Sequence, residues 1–288
     1  MRSGRPLDRD QKVEFAADDG RKARNIVEVH PEVMRRSSTG SGHFDLGRVI
    51  QRTFTSIGQN AAVFFGASVI LVGIPSTISA LGQGSLTSAN PYSGFGFVIL
   101  GTMLYFIGLY LLQGMVVKAA VNGFNGKKTA FGDAFGAGLR MFFPLLGLSI
   151  VATLGALLGY ILLVVPGILL SVIWSVAAPA VVVEKRGVFE SLQRSRDLTR
   201  GFRWPVFGLI VIYVVLSWIF GLAMGGLSLA TGGTFTGGTP NLAVTLISGP
   251  LTNIVAGVVA SAGVASLYYE LRIAKEGVGA EDLASVFD

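Results

Sequence analysis

The sequence predicts an all-α, polytopic membrane protein: six transmembrane helices as three hairpins, each preceded by a cytoplasmic interfacial amphipathic helix. Three observations predict it. Residues 141–183 hold no Asp, Glu, Lys or Arg across 43 positions, which is two spans' worth when a bilayer core takes about 20 apolar residues per helix. The next 20 residues, 184–203, carry nine charges, six of them basic. The basic residues also fall only in alternate gaps between the apolar runs. The chain is 51% hydrophobic and 14% charged, against roughly a quarter charged in a soluble domain. Outer-membrane strands alternate over about ten residues, whereas these apolar runs are long and unbroken.

The elements follow in order. Residues 1–43 are polar, with mixed charge and a Ser/Gly end, and lack the apolar core of a signal peptide. They read as a disordered cytoplasmic tail. Over residues 44–60, Leu46, Val49, Ile50, Phe54 and Ile57 recur at helical spacing while Arg48 and Arg52 face away, the pattern of an interfacial helix. Burying each large apolar side chain gives about 1.5–3 kcal/mol, so five of them favour the bilayer surface over water. The first span covers 61–81, and a polar loop through Asn90 and Pro91 leads to the second, 95–117.

Residues 118–142 bring Lys127 and Lys128 and a second amphipathic stretch with Phe131, Phe135, Leu139 and Phe142 on one face. Spans three and four, 144–163 and 166–183, fold back at Val164-Val165-Pro166-Gly167, where Pro suits a first helical turn and Gly a sharp reversal. The charged stretch from Glu184 forms a third cytoplasmic helix, supported by Glu190 and Arg194 at i,i+4. Span five is 205–227, a Gly/Thr-rich loop follows at 231–239, and span six is 246–269. The membrane domain is thus 44–270, and 271–288 form a short cytoplasmic tail.

Lys and Arg number 11 before span one, 4 between two and three, 6 between four and five and 2 after six, which accounts for all 23. The loops after spans one, three and five have no charge of either sign. Positive residues stay inside, so both termini are expected in the cytoplasm. The anionic inner leaflet adds about 1 kcal/mol per basic residue near it. This placement makes the net charge of +6 a signal for anionic lipid, not nucleic acid.

The chain also repeats. Phe143-Pro144-Leu145-Leu146-Gly147-Leu148 matches Trp204-Pro205-Val206-Phe207-Gly208-Leu209 at the mouths of spans three and five, with Phe64-Phe65-Gly66 a degraded copy at span one. The exits match as Lys185-Arg186-Gly187-Val188 and Lys275-Glu276-Gly277-Val278. The predicted unit is an interfacial helix followed by a helical hairpin.

The run PGILLSVIWSVAAPAVVVE, then Ser191-Leu192-Gln193-Arg194-Ser195, and the closing LYYELRIAKEG over 267–277 resemble the bacterial six-helix membrane domain found beside some glycerophosphodiester phosphodiesterases. The resemblance covers about 44–283 and implies a bacterial cytoplasmic-membrane protein. In fused members the hydrolase is a separate soluble barrel, for which this sequence has no segment of sufficient length, so its activity is not carried over.

Catalytic chemistry is sparse. No HExxH, GxSxG, Walker loop or dinucleotide glycine pattern occurs. Cysteine is absent, and His30 and His43 lie in the tail, so no metal or cofactor is expected. The spans as drawn contain no Asp, Glu or His for hydrolysis or proton coupling, so an enzyme is not expected. Arg194, Arg196, Arg200 and Arg203 form the best candidate site, holding lipid headgroup phosphates. Pro179 and Pro250, with Asn253 and Gln113 as the most polar groups at depth, mark kinks or a pathway. Gly155-x-x-x-Gly159 and Gly221-x-x-x-Gly225 are expected to pack helices within the bundle, and Trp174 to pack mid-span. The expected function is non-catalytic organisation of lipid or a membrane-protein partner at the cytoplasmic leaflet. The competing expectation is a permease for a small solute or lipid, using spans four and six.

Overall fold

The computed structural model describes residues 43–85, 91–124, 126–230 and 242–277. The expected N-terminal tail up to residue 42, the loops at 86–90 and 231–241 and the end beyond 277 lie outside the described residues. Among the described residues every regular element is helical. The helices are α1 (Leu46–Gln59), α2 (Ala61–Ser68), α3 (Ile74–Ser85), α4 (Pro91–Phe124), α5 (Phe131–Leu162), α6 (Val164–Ile173), α7 (Ala177–Glu184), α8 (Val188–Thr199), α9 (Arg203–Ala230) and α10 (Leu242–Glu276). Among the described residues six stretches are long and apolar enough to cross a bilayer: Ala61–Ser85, Gly94–Phe124, Phe131–Leu162, Val164–Glu184, Arg203–Gly226 and Leu246–Glu276.

Proline explains the breaks. Pro75 has no N–H for the carbonyl of Leu71, and the chain between α2 and α3 widens into a π turn, Val69–Gly73. Pro179 leaves the carbonyl of Ser175 without its helical donor, and the fourth span unwinds there, between the end of α6 at Ile173 and the start of α7 at Ala177. Pro144 does not end a helix. The amphipathic stretch and the third span, expected as separate elements, form one continuous α5, because proline's fixed φ is helical and neighbouring groups at a membrane can satisfy the one freed carbonyl. Leu163 is extended, at φ −167° and ψ 150°, and reverses the chain one residue before the expected turn. The chain then returns along α5, with Gly167 against Gly159 and Trp174 against Gly155.

Glycine closes α3 onto α4. A β-carbon on Gly82 would stand 2.6 Å from the backbone N of Val98, and one on Gly101 would stand 2.8 Å from the Pro75 carbonyl. One on Gly108 would overlap the carbonyl of Leu71, the group that Pro75 frees. Gly94, Gly101 and Gly108 recur every seven residues, which keeps them on one helix face. Gly221 and Gly225, expected to pack inside the bundle, instead have open space around them. They sit on α9, which turns Trp218, Ile219 and Leu222 outward.

α10 is the spine, touching α1, α3, α4 and α9. The buried core is concentrated toward the arginine-rich end, where Val116, Val117 and Ala120 of α4, Val181 and Val183 of α7 and Leu267, Tyr268 and Leu271 of α10 meet.

Candidate functional site

Two acids sit where spans four and six reach the arginine-rich end. Glu270 is wholly buried. Arg48 donates to its Oε1 from Nε at 3.0 Å, Arg52 pairs with its Oε2, and the backbone N–H of Asp45 adds a third donor at 3.3 Å. Asp45 meanwhile caps α1 through its side chain, which accepts from Gly47 N at 2.8 Å. Arg52 also lies over the ring of Tyr269, 4.8 Å from its centroid. So Arg48 and Arg52, expected to face away, turn inward and fasten α1 to α10. Span six, expected to end at Tyr269, continues as helix to Glu276 and carries the Glu270 carboxylate into the packed core.

The second acid is Glu184. It accepts from Arg194 Nε at 2.8 Å and from the Tyr268 hydroxyl at 2.7 Å, and Arg186 pairs with its other oxygen at 2.6 Å. Arg194 also pairs with Glu276, which Arg272 holds from one turn back at 2.9 Å. One guanidinium thus ties together the ends of α7 and α10, a fork that suits two carboxylates. Burial opposes the charge of Arg194, but hydrogen bonds to Glu184 and Glu276 and the charges of both hold its pKa above the ordinary arginine value. The expected Glu190–Arg194 pair is not made. Glu190 bends back to accept from the N–H of Gly187 at 3.3 Å, an N-terminal cap that α8 needs more than a surface ion pair.

α1 and α8 make corresponding contacts. Arg52 stands six residues into α1 and Arg194 six residues into α8, and each reaches an acid at the end of an apolar span. Gly147 lies beside Val188, the first residue of α8, and Gly208 beside Leu46, the first residue of α1. The paired exits are out of step, however. Lys185 takes the left-handed conformation at φ 52° after α7, whereas α10 continues two residues further to Gly277 at φ 63°.

α8 is pinned beneath by the hydroxyls of Ser195 and Thr199, whereas that of Ser191 makes no hydrogen bond among the described residues. Ser191, Ser195 and Thr199 are fully buried at every fourth position. Ser195 donates to the carbonyl of Ile173 at 2.7 Å and accepts from the N–H of Val176 at 3.2 Å. Thr199 also reaches the Ile173 carbonyl at 3.4 Å. These bonds satisfy the backbone that the break before Pro179 leaves open.

The opposite face of α8 is different. Arg196, Asp197, Arg200, Gly201, Arg203 and Trp204 surround an open cleft of about 690 Å³. Gly201, at φ 92°, makes the left-handed turn that brings Arg200 and Arg203 to the same cleft. Unlike Arg194, none of the three arginines has an acidic partner among the described residues, and Nε of Arg203 is buried without a hydrogen bond. Trp204 is 83% exposed, placed as an interfacial aromatic is placed. Deeper along α9, an almost wholly apolar groove of about 180 Å³ runs between α1, α9 and α10, lined by Ile50, Phe54, Ile210, Tyr213, Gly263 and Leu267.

The other sequence candidates scatter. Pro179 is buried in the first turn of α7. Pro250 and Asn253 line a cavity of mixed polar and apolar walls at the far end of the bundle, and neither Pro179 nor Gln113 lines it.

Comparison with known proteins gives a partial family likeness. Residues 130–271 match the model of a domain of unknown function, DUF7847. A UPF0259 membrane protein from Pectobacterium carotovorum is 36% identical over 101 residues, covering 35% of this chain. This chain spans 40% of that relative's length. No solved structure matches. The chain is therefore an all-helical, multi-pass membrane protein similar to an uncharacterised bacterial membrane family.

Proposed function

We propose that this is a non-catalytic membrane protein that holds an anionic phospholipid at the cytoplasmic leaflet. The observation that carries the reading is the division of arginines along α8 and α9. Arg194 is saturated by two carboxylates, while Arg196, Arg200 and Arg203 face a cleft in whose lining Asp197 is the only acid among the described residues. In this reading the headgroup phosphate sits among those three. Arg203 and Ile210 are seven residues apart on one side of α9, about 10 Å along the axis, so one acyl chain enters the apolar groove below.

The reading also takes the membrane as the inner one, the arginine-rich end and both termini as cytoplasmic, and the six spans as three hairpins behind interfacial helices. The distribution of all 23 basic residues supports that orientation. A lipid-holding bundle suits the suggested kinship with the membrane domain beside glycerophosphodiester phosphodiesterases, where hydrolysis belongs to another domain.

Native mass spectrometry of lipid retention tests the reading. Three arginines at about 1 kcal/mol each give about 3 kcal/mol, on the order of a hundredfold preference. Replacing Arg196, Arg200 and Arg203 with Ala should remove the preference for phosphatidylglycerol over phosphatidylcholine. Gly263→Leu, whose β-carbon would meet nothing within 4 Å, should fill the groove and weaken retention of both lipids. Unchanged retention in the arginine variant would overturn the proposal.

A further inference from the structure

The end of the bundle away from the arginines holds a second, chemically distinct cavity. Asn253 precedes Glu270 by 17 residues in α10, about 25 Å along the helix. There α3, α4 and α10 border an open cavity of about 360 Å³, whose polar side chains are Ser76, Ser79, Gln83, Thr102, Tyr105 and Asn253 and whose apolar ones include Ala80, Phe106 and Pro250, with Gly249 on the same wall. Among the described residues no charged side chain lines it.

The hydroxyls of Ser79 and Thr102 approach each other at 3.4 Å, and Gln83 donates weakly to the Ser79 carbonyl at 3.4 Å. Ser76 is turned toward the Gly73 carbonyl at 2.9 Å, which the π turn exposes. The amide of Asn253 and the hydroxyl of Tyr105 have no hydrogen-bond partner among the described residues. Pro250 further deprives the Leu246 carbonyl of its helical donor. Unpaired polar groups at membrane depth cost several kcal/mol each, and a π turn in a helix is a frequent companion of a binding site.

We propose that this cavity binds a small neutral polyol. An ion would lie in a low-dielectric wall with no opposite charge. A purely apolar molecule would leave Asn253 and Tyr105 unsatisfied. A molecule carrying several hydroxyls both donates and accepts, as an amide facing hydroxyls requires. A single water takes about 30 Å³, so the space is far larger than one bridging solvent molecule needs. The inference is independent of the lipid reading, because it concerns the opposite end and uses none of the arginines.

The chain has no cysteine, so one introduced thiol is a clean reporter. A β-carbon on Gly249 would meet nothing within 4 Å, and Gly249→Cys leaves every proposed contact in place. In lipid nanodiscs, where both faces are accessible, a membrane-impermeant thiosulfonate should label this cysteine. Sorbitol should slow the labelling several-fold, and potassium chloride of equal osmolarity should not. Adding Asn253→Leu, with thermal unfolding followed as a check on folding, should remove the protection. No labelling would mean a closed cavity and would overturn the proposal. Labelling without sorbitol protection, or protection that survives Asn253→Leu, would overturn it equally.

Discussion

The two ends of this bundle use polar residues in opposite ways. At the arginine-rich end, Glu270, Glu184 and Glu276 are each matched by guanidinium groups from another part of the chain. At the far end, Asn253 and Tyr105 face open space beside a loose cluster of hydroxyls. Saturated charges fasten elements together and have nothing left to offer a ligand. Unsaturated neutral groups hold nothing together and are free to bind. The same contrast recurs within α8, where Arg194 fastens and Arg196 has no acidic partner among the described residues.

The largest effect should come from the buried lock. Replacing Arg48 and Arg52 with Ala strands a carboxylate that is wholly buried, and breaking such a pair costs about 3–5 kcal/mol. Denaturant unfolding in mixed micelles should show that loss. Adding Glu270→Met should recover much of it, since an apolar replacement of a whole buried ion cluster is often neutral. If the triple variant is no more stable than the double, the lock is not the reason α1 stays docked.

The glycine seam should come next. Gly101→Val forces side-chain atoms into the Pro75 carbonyl and the Ser79 backbone, neither of which can swing aside. Overpacking of this kind costs about 1–3 kcal/mol or more. Gly221→Val, on the open face of α9, should change stability far less. Equal losses in the two variants would show that α3 and α4 are not held by close backbone approach.

What the sequence made legible was whatever depends on composition along the chain. Long uncharged runs and the sorting of basic residues sufficed for six spans, and Pro179 marked the break in the fourth. Partners across the chain were not legible. Nothing local to Glu270 shows that arginines 222 and 218 residues earlier will reach it. A signal was present, since an acid directly after Tyr268-Tyr269 at the end of an apolar run needs a partner in the packed interior. Gly94, Gly101 and Gly108 at seven-residue spacing were another readable signal. The cleft arginines were identifiable as a group, but which of them would be consumed by carboxylates depended on how α7, α8 and α10 meet.

Ser195 gives a smaller test. Ser195→Ala removes a donor to Ile173 and an acceptor for Val176, leaving the buried Val176 N–H without that partner and the Ile173 carbonyl with only the longer Thr199 bond, for about 1–3 kcal/mol. Amide hydrogen exchange should rise locally over residues 173–177 before global unfolding changes. A uniform rise along α6 and α7 would mean that Ser195 does not staple the break.

The smallest effect sharpens the comparison most. Arg194 and Arg196 share one helix, two positions apart, and differ only in what faces them. Arg194→Ala removes the fork that joins Glu184 to Glu276 and should destabilise the fold measurably. Arg196→Ala touches an exposed side chain with no ion pair among the described residues, so unfolding should stay within about 0.5 kcal/mol. Its lipid preference should nevertheless fall, and the fall should shrink as salt screens the headgroup contact. If Arg196→Ala instead weakened folding as much as Arg194→Ala, the cleft would be part of the lock, and the division of labour along α8 would not exist.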